Sequence, residues 1–318
     1  MTPGPLRPAR IEWADDGTPY APDFSDRYHP HAGAVVQARH VFLGGNGLPR
    51  RWQGQDDFTI VETGFGLGHN FLATWQAWRD DPQRCARLHH VAVEAHPPAL
   101  HDLQRAHATA RPAHAPELTA ALQASWPPLV PGLHLLTFDG GAVRLLLALG
   151  DVHDVLPQLQ LRADAFFLDG FAPDRNPQMW DRAVLKALAW RAAPGATAAT
   201  WSVAHGLRNG LAAEGFHCTL HPGVGGKREV LHAAYAPRYQ RPHEPPAADP
   251  AWPRADAASW LACCSVRRVF SILMRSFLPR APDLRLKPTV IRSWVSISWN
   301  SLRILMPWPA GTWSMTEP

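Results

Sequence analysis

A glycine-rich junction between a predicted strand and a predicted helix is the first candidate for ligand binding. The apolar run at 58–63 is followed by Gly64, Gly66 and Gly68 and then by an amphipathic segment. Glycines at such a junction let a backbone approach a ligand and leave the first N–H groups of the helix free. A dinucleotide site requires G-x-G-x-x-G, but His69 occupies the sixth position, and no lysine follows as in a polyphosphate loop. The motif leaves open a nucleoside with a reactive side chain or a tight structural turn.

Three acidic residues end later strands of the same predicted sheet. Glu94 stands where a carboxylate can accept hydrogen bonds from both ribose hydroxyls of an adenosine, although a solvated strand-end acid is the plain alternative. Asp151 can accept from an adenine amino group or cap a helix. Asp169 follows apolar residues that predict burial, which would raise its pKa and suit it to proton transfer, or it caps its own loop. Together at successive strand ends, these acids and the glycines favour a ligand pocket.

Aromatic and basic residues follow Asp169 and the last predicted hairpin turn. Phe171 and Trp180 can wall a flat substrate or belong to the core. Lys227 and Arg228, beside glycines in GVGGKRE, can contact phosphate or lie in a solvated turn. The same two interpretations apply to Arg50, Arg51 and Arg208.

Metal chemistry, covalent hydrolysis and a membrane location are not predicted. The 17 histidines and four cysteines include no H-E-x-x-H and no cysteine pair with zinc spacing, and there is no G-x-S-x-G. His89 and His90 are neighbours in a predicted strand, so they point to opposite faces. No run of about 18 apolar residues exists, and residues 1–13 lack an apolar signal core. We therefore expect a cytoplasmic protein with reduced cysteines.

Short apolar runs alternate with helical patterns, which predicts an α/β fold with a mostly parallel sheet. Residues 97–130 are predicted to be a helical insert, and 133–151 a hairpin around Asp139-Gly140-Gly141. The other predicted strands are 58–64, 88–95, 163–169 and 195–202, with a final antiparallel pair at 216–222 and 228–235.

Composition divides the chain into a main domain at 1–240, a proline-rich linker at 241–255 and an atypical tail at 256–318. The tail carries eight of the basic and three of the acidic residues, so the basic pI of 9.1 belongs to it and says little about what the main domain binds. No histidine follows His243, and Gly311 is the one glycine after residue 255. We interpret the poorly structured tail as a frameshifted or degenerate second domain; a small basic appendage is the alternative.

Four strings carry a resemblance to a known family. They are DRYHP…QARHVFLGGNGLPRRW (26–52), ETGFGLGHNFLATW (62–75), LDGFAPDRNPQMW (168–180) and GVGGKREVL (223–231). They resemble the methyltransferase half of the MnmC family, the bifunctional tRNA 5-methylaminomethyl-2-thiouridine biosynthesis proteins. The resemblance covers residues 11–238. It implies a class I (Rossmann-like) methyltransferase fold, with a mostly parallel seven-stranded sheet and an antiparallel final hairpin.

The resemblance also implies a reaction and its residues. S-adenosylmethionine would methylate the exocyclic amine of 5-aminomethyl-(2-thio)uridine at the tRNA wobble position, with Asp169 as the base or the amine-orienting group. The cofactor would lie on Gly64, Gly66, Gly68 and Asn70, with Glu94 at its ribose and Asp151 near its adenine. The substrate-binding residues would be Asp26 and Tyr28, from an N-terminal segment over the pocket, with Phe171, Trp180, Lys227 and Arg228. Phe171 and Trp180 would stack on the extruded base.

The chain departs from the family pattern after the linker. The family continues into an FAD-dependent oxidoreductase domain that opens with a G-x-G-x-x-G turn, but residues 255–270 contain no glycine. We therefore expect neither FAD nor the oxidoreductase partner domain in this chain. Two other functions stay open: a methyltransferase acting on a small amine, and a catalytically silent RNA-binding remnant. A nicotinamide-dependent oxidoreductase is disfavoured by His69.

Overall fold

The structure, a computed structural model, describes residues 6–237. The predicted linker and tail lie outside the described residues. A small antiparallel sheet is formed by β1 (Glu12–Trp13), β2 (Pro19–Ala21) and β3 (Asp26–Arg27). The strands of the main sheet are β4 (Asp57–Glu62), β5 (Arg87–Glu94), β6 (Gly132–Phe138), β7 (Val143–Leu149), β8 (Ala163–Phe167), β9 (Ala192–Thr200), β10 (Phe216–Pro222) and β11 (Glu229–Tyr235).

Seven α-helices connect these strands in the described part of the chain. They are α1 (Ala34–Gln37), α2 (His69–Asp80), α3 (Leu100–Thr109), α4 (Pro116–Ala124), α5 (Val152–Val155), α6 (Arg182–Ala189) and α7 (His205–Ala213). A π-helix, Ala38–Gly44, continues α1, and α3 with α4 forms the predicted helical insert. No helix within residues 6–237 is long and apolar enough to cross a membrane.

The main sheet has the order β10-β11-β9-β8-β4-β5-β7-β6. The five central strands, from β9 to β7, are parallel, and β11 and β10 follow as the predicted antiparallel hairpin. The α/β class, the mostly parallel sheet and the antiparallel final hairpin are thus confirmed. The sheet has eight strands and not seven, because β6 pairs antiparallel with β7 through the hairpin turn at Asp139–Gly141 and becomes the edge strand.

The core lies on both faces of the sheet. Alternate residues of β4 enter different clusters: Phe58 and Ile60 pack with Phe71 on α2, whereas Val61 packs with Val184 on α6. This period of two is the one that a strand imposes on its side chains. Helices on both faces bury both sides of a strand, and most residues of β4 and β5 are accordingly buried, including polar ones.

This topology brings the predicted acidic residues together. Parallel strands β7, β5, β4 and β8 end at one edge of the sheet, so Asp151, Glu94, Glu62 and Asp169 all lie at or just beyond that edge. The loop 63–68 links β4 to α2 at the same edge. Ligands of open α/β sheets bind at this position.

Trp52 closes the core at the other end of β4. Its ring is fully buried against Phe58, and its indole N–H donates to Asp81 Oδ2 at 2.8 Å. We expect Trp52→Ala to lower the free energy of unfolding by about 3–5 kcal/mol, because it leaves a large cavity. Urea unfolding would measure this, with Trp190→Ala, at a half-exposed tryptophan, as the matched control. Similar losses in both variants would contradict the assignment of Trp52 to the core.

Candidate active site

A cavity of about 570 Å³ opens at the carboxyl edge of the parallel strands. This volume lies within the roughly 300–1,000 Å³ of ordinary ligand pockets. Ten of the predicted site residues line it: Asp26, Tyr28, Gly64, Gly66, Asn70, Glu94, Asp151, Asp169, Phe171 and Lys227. Gly68, Trp180 and Arg228 do not line it. The sequence prediction therefore placed most of its candidates around one cavity.

The glycine loop forms the floor of the cavity. Gly66 has φ +53°, and an added Cβ would meet nothing closer than the Tyr28 ring at 3.6 Å, so its backbone faces the open space. Gly68 has φ +72° at the N-cap of α2, where a Cβ would lie 2.8 Å from Phe65 Cζ. Gly68 is thus needed for the start of the helix; it lies outside the cavity lining, and its contact with a cofactor stays a prediction.

Glu94 holds the glycine loop from the end of β5. Its Oε2 accepts from the Gly66 backbone N–H at 2.8 Å, and its Oε1 accepts from the His96 N–H at 2.7 Å. Each carboxylate oxygen has a second lone pair, so the group can still accept from hydroxyls of a ligand. Glu94 therefore both shapes the loop and presents oxygen atoms to the cavity.

Asp151 has the capping role that the sequence left open, and it also lines the cavity. Its Oδ1 accepts from the His153 backbone N–H at 2.8 Å at the N-terminus of α5. The imidazole of His153 lies between Asp151 and Asp181, and these carboxylates raise its pKa. The Asp151 carboxylate is thus held at the cavity, just beyond the end of the strand that pairs with the one carrying Glu94.

Asp169 is a half-buried carboxyl group surrounded by hydrogen-bond donors. Its Oδ1 accepts from the Gly170 N–H and its Oδ2 from Asn70 Nδ2, both at 2.8 Å, and the Trp201 side chain also donates to it. Burial and the nearby Glu62 carboxyl nevertheless raise the pKa of Asp169 to about 7. A carboxyl group with this pKa can exchange a proton near neutral pH.

Behind Asp169 lies a buried group that the sequence analysis missed. Glu62 is fully buried. Its Oε1 accepts a hydrogen bond from Asn70 Nδ2 at 2.7 Å, and its Oε2 lies 2.9 Å from His90 Nε2. The sequence does contain a signal for Glu62, namely an acidic residue at the end of a predicted strand, just before the glycines. Asn70, predicted only to bind cofactor, bridges two carboxyl groups.

The N-terminal segment forms one wall of the cavity, as predicted. Asp26 Oδ2 accepts from the Ala172 N–H at 2.9 Å, which ties the segment to the loop after Asp169. Phe171 stacks on Phe24 with ring centroids 4.5 Å apart and meets the edge of Tyr28 at 5.3 Å. Burial and neighbouring carboxylates raise the pKa of Tyr28, so its phenol stays neutral. The sequence analysis did not identify Phe24.

The structure corrects the stacking role predicted for Trp180. The 3₁₀ turn at Pro177–Trp180 directs its ring into the core, where its indole N–H donates to the Phe171 carbonyl at 2.8 Å. Trp201 lines the cavity instead, at the end of β9. The Lys227 Nζ lies 4.5 Å from the centre of the Trp201 ring, a cation–π contact. Trp201 is therefore the tryptophan that faces the cavity.

Arg51 and Arg228, two of the arginines that the sequence analysis considered as phosphate contacts, lie outside the cavity lining. The Arg51 guanidinium donates to Thr197 Oγ1 and to the carbonyl oxygens of residues 46, 164 and 195, so it fixes β8 and β9 and is not available to phosphate. Arg228 is exposed outside the cavity lining, and its phosphate contact stays a prediction.

Metal ligands were not predicted, and residues 6–237 contain no group of three or more His, Cys, Asp or Glu side chains placed to hold a metal ion. Within this range, Cys85 and Cys218 are free thiols.

Comparison with known proteins gives the same fold and a more specific likeness. A family profile described as S-adenosyl-L-methionine-dependent methyltransferase matches residues 113–236. A protein of Methylibium petroleiphilum is 55% identical over 239 residues, and one of Cupriavidus metallidurans is 54% identical over 244. Both are named tRNA 5-methylaminomethyl-2-thiouridine biosynthesis bifunctional protein MnmC. The predicted resemblance is confirmed.

These alignments cover 75% and 76% of this chain but 36% of each relative, so the chain matches about a third of their length. Among solved structures, MNMC2 from Aquifex aeolicus superposes with a TM-score of 0.56 at 22% identity, over 74% of this chain and 73% of that one. At this identity the structure supports the fold.

Proposed function

Because the chain belongs to the S-adenosyl-L-methionine-dependent methyltransferases, we propose that it methylates the exocyclic amine of 5-aminomethyl-(2-thio)uridine at the tRNA wobble position. The product would be the 5-methylaminomethyl group that the relatives' names contain. One observation carries the proposal: a carboxyl group with a pKa of about 7, Asp169, faces the cavity beside the glycine loop.

The cavity fits the methyl donor by its shape and its hydrogen-bonding groups. The Gly66 backbone is open to the cavity, where any Cβ would take up ligand space, and Glu94 and Asp151 present carboxylate oxygens at neighbouring strand ends. When bound there, S-adenosylmethionine supplies an electrophilic sulfonium methyl group. Gly64, Gly66 and Glu94 would hold it, with Asp151 near the adenine. The absence of FAD from this chain stays a prediction.

Asp169 supplies the proton chemistry that an amine substrate needs. An alkylamine is protonated at neutral pH and has no free lone pair, so a base must take a proton before nitrogen attacks carbon. The Asp169 carboxylate accepts that proton; a C–N bond then forms as the C–S bond breaks. Donors from Asn70, Gly170 and Trp201 keep the carboxylate in one orientation. Orientation and proton transfer are therefore both assigned to Asp169.

The aromatic wall is suited to a flat base. Phe171 and Trp201 line the cavity on the side of Asp169, and a base taken out of a tRNA loop can stack on such rings. Lys227 lines the cavity next to Trp201 and can meet a phosphate of the same strand. We assign tRNA as the partner on these grounds, and a location in the cytoplasm follows from it.

A methyl-transfer assay with three acceptors tests the proposal. The full chain is incubated with methyl-labelled S-adenosylmethionine and tRNA carrying 5-aminomethyluridine, the same tRNA without the aminomethyl group, or a free small amine. We expect label in one nucleoside of the first tRNA only. Label on the small amine without label on tRNA would favour a small-amine methyltransferase. Cofactor binding without any transfer would overturn the proposal in favour of a silent RNA-binding protein.

A further inference from the structure

We propose that Glu62 is a positioning residue: it is a buried carboxyl group which, held by His90, fixes the Asn70 amide and through it the carboxylate of Asp169. The inference rests on the proposed role of Asp169. It gives a function to the buried group Glu62, which the reaction itself does not use.

The hydrogen bonds form a continuous chain from the core to the cavity. His90 Nε2 lies 2.9 Å from Glu62 Oε2, and Asn70 Nδ2 lies 2.7 Å from Glu62 Oε1 and 2.8 Å from Asp169 Oδ2. The NH₂ group of Asn70 has two hydrogens, so each can go to one carboxyl oxygen. Because both neighbours accept, the amide is fixed with its nitrogen between the two acids.

Glu62 and Asp169, the two carboxyl groups that Asn70 bridges, repel each other when both are ionised. Glu62 and His90 are both fully buried. Burial raises the pKa of Glu62 well above its usual range and lowers the pKa of His90 to about 3. His90 is therefore neutral at neutral pH, and burial opposes the ionisation of Glu62. One hydrogen lies between His90 Nε2 and Glu62 Oε2, which leaves Oε1 to accept from Asn70.

The environment of His90 agrees with this assignment. Its Nδ1 is buried and has no hydrogen-bond partner within residues 6–237, and its ring packs edge-on against Phe71 and Phe167. An imidazolium there would bury a second N–H with a full charge in an apolar site. His90 is therefore uncharged, and Asp169, whose pKa is raised to about 7, is the group of the array that lines the cavity.

Other ionisable groups act on this array from the neighbouring elements. Glu94, on β5, raises the pKa of Glu62 further. From the other side, Trp201 donates to Asp169 and has the Lys227 ammonium over its ring. The hydrogen bond from Asn70 lowers the pKa of Asp169 and thus opposes the effect of burial. Removing the Asn70 amide must therefore raise the pKa of Asp169.

Carbon-13 NMR of aspartate carboxyl groups tests the array without any methyl transfer. The Asp169 signal is the one absent from the spectrum of Asp169→Asn. We expect Asn70→Ala to raise its titration midpoint by about half a pH unit or more. We expect Glu62→Gln, which keeps the shape and an oxygen that accepts from Asn70 but removes the carboxyl group that raises the pKa of Asp169, to lower the midpoint. His89→Gln, at a second histidine–carboxylate pair on β5, is the matched control.

Each outcome is decisive for the array. An unmoved midpoint in Asn70→Ala would overturn it, since a merely structural asparagine would change stability alone. An unmoved midpoint in Glu62→Gln would overturn the coupling between Glu62 and Asp169. The glutamine variant is isosteric, so this second test remains if Asn70→Ala does not fold. If Asp169 titrates as expected but its loss does not slow transfer, the proposed function fails and the array stands.

Discussion

Asp169→Asn is expected to lower kcat for methyl transfer at least about 100-fold, the lower end of what general base catalysis contributes. The Kd for S-adenosylmethionine should stay within about threefold, because the glycine loop and Glu94 are held by other contacts. Asparagine has nearly the same shape as aspartate but cannot accept the amine proton. Single-turnover transfer and calorimetric binding of the cofactor would measure the two effects separately.

The pH dependence of the wild-type protein gives an independent check on the same residue. With its pKa raised to about 7, Asp169 is protonated below that pH and cannot act as a base. We expect kcat/KM to fall as the pH drops through 7 and to level off above it, until the amine itself loses its proton. Asp174→Asn, at an exposed carboxylate on the same loop, is the matched control and should keep this profile. A profile that is flat from pH 6 to pH 8 would remove Asp169 from the role of base.

The residues found from the sequence are those whose signal is local. The glycine loop, Glu94 and Asp169 each follow a strand whose apolar pattern can be recognised within a few residues, and parallel pairing then brings strand ends to one edge. The strand period likewise predicted that His89 and His90 point to opposite faces. In the structure His89 contacts Asp57 and His90 contacts Glu62.

The residues that were missed depend on contacts between distant segments. Trp201 reaches Asp169 because β9 lies beside β8, and Phe24 reaches Phe171 because the N-terminal segment crosses the cavity. No local pattern encodes either contact. The prediction for Trp180 was wrong because a tryptophan after a tight loop can point into the core or into the cavity. The 3₁₀ turn directs the Trp180 ring into the core. The strand count of seven came from the family resemblance, whereas the hairpin at 133–151 had already indicated β6.

Glu94→Ala is expected to weaken cofactor binding more than any other single change to the strand ends. The variant loses the carboxylate that can bind the ribose, and it leaves the N–H groups of Gly66 and His96 without their acceptors. Hydrogen bonds to charged groups contribute about 1.5–3 kcal/mol each, so the loss of one such contact raises the Kd for S-adenosylmethionine about 10- to 100-fold. Calorimetry on the purified chain would measure this, with Glu117→Ala, at an exposed glutamate on α4, as the control.

Glu94→Gln separates the two tasks of this side chain. Its amide oxygen can still accept from one backbone N–H, but its NH₂ group would face the other, so the loop is held on one side only. The amide oxygen can also meet a single ribose hydroxyl. We therefore expect a Kd between those of the wild type and Glu94→Ala. A Kd as weak as that of the alanine variant would mean that the negative charge decides binding. A wild-type Kd in both variants would instead contradict the placement of the cofactor at the end of β5.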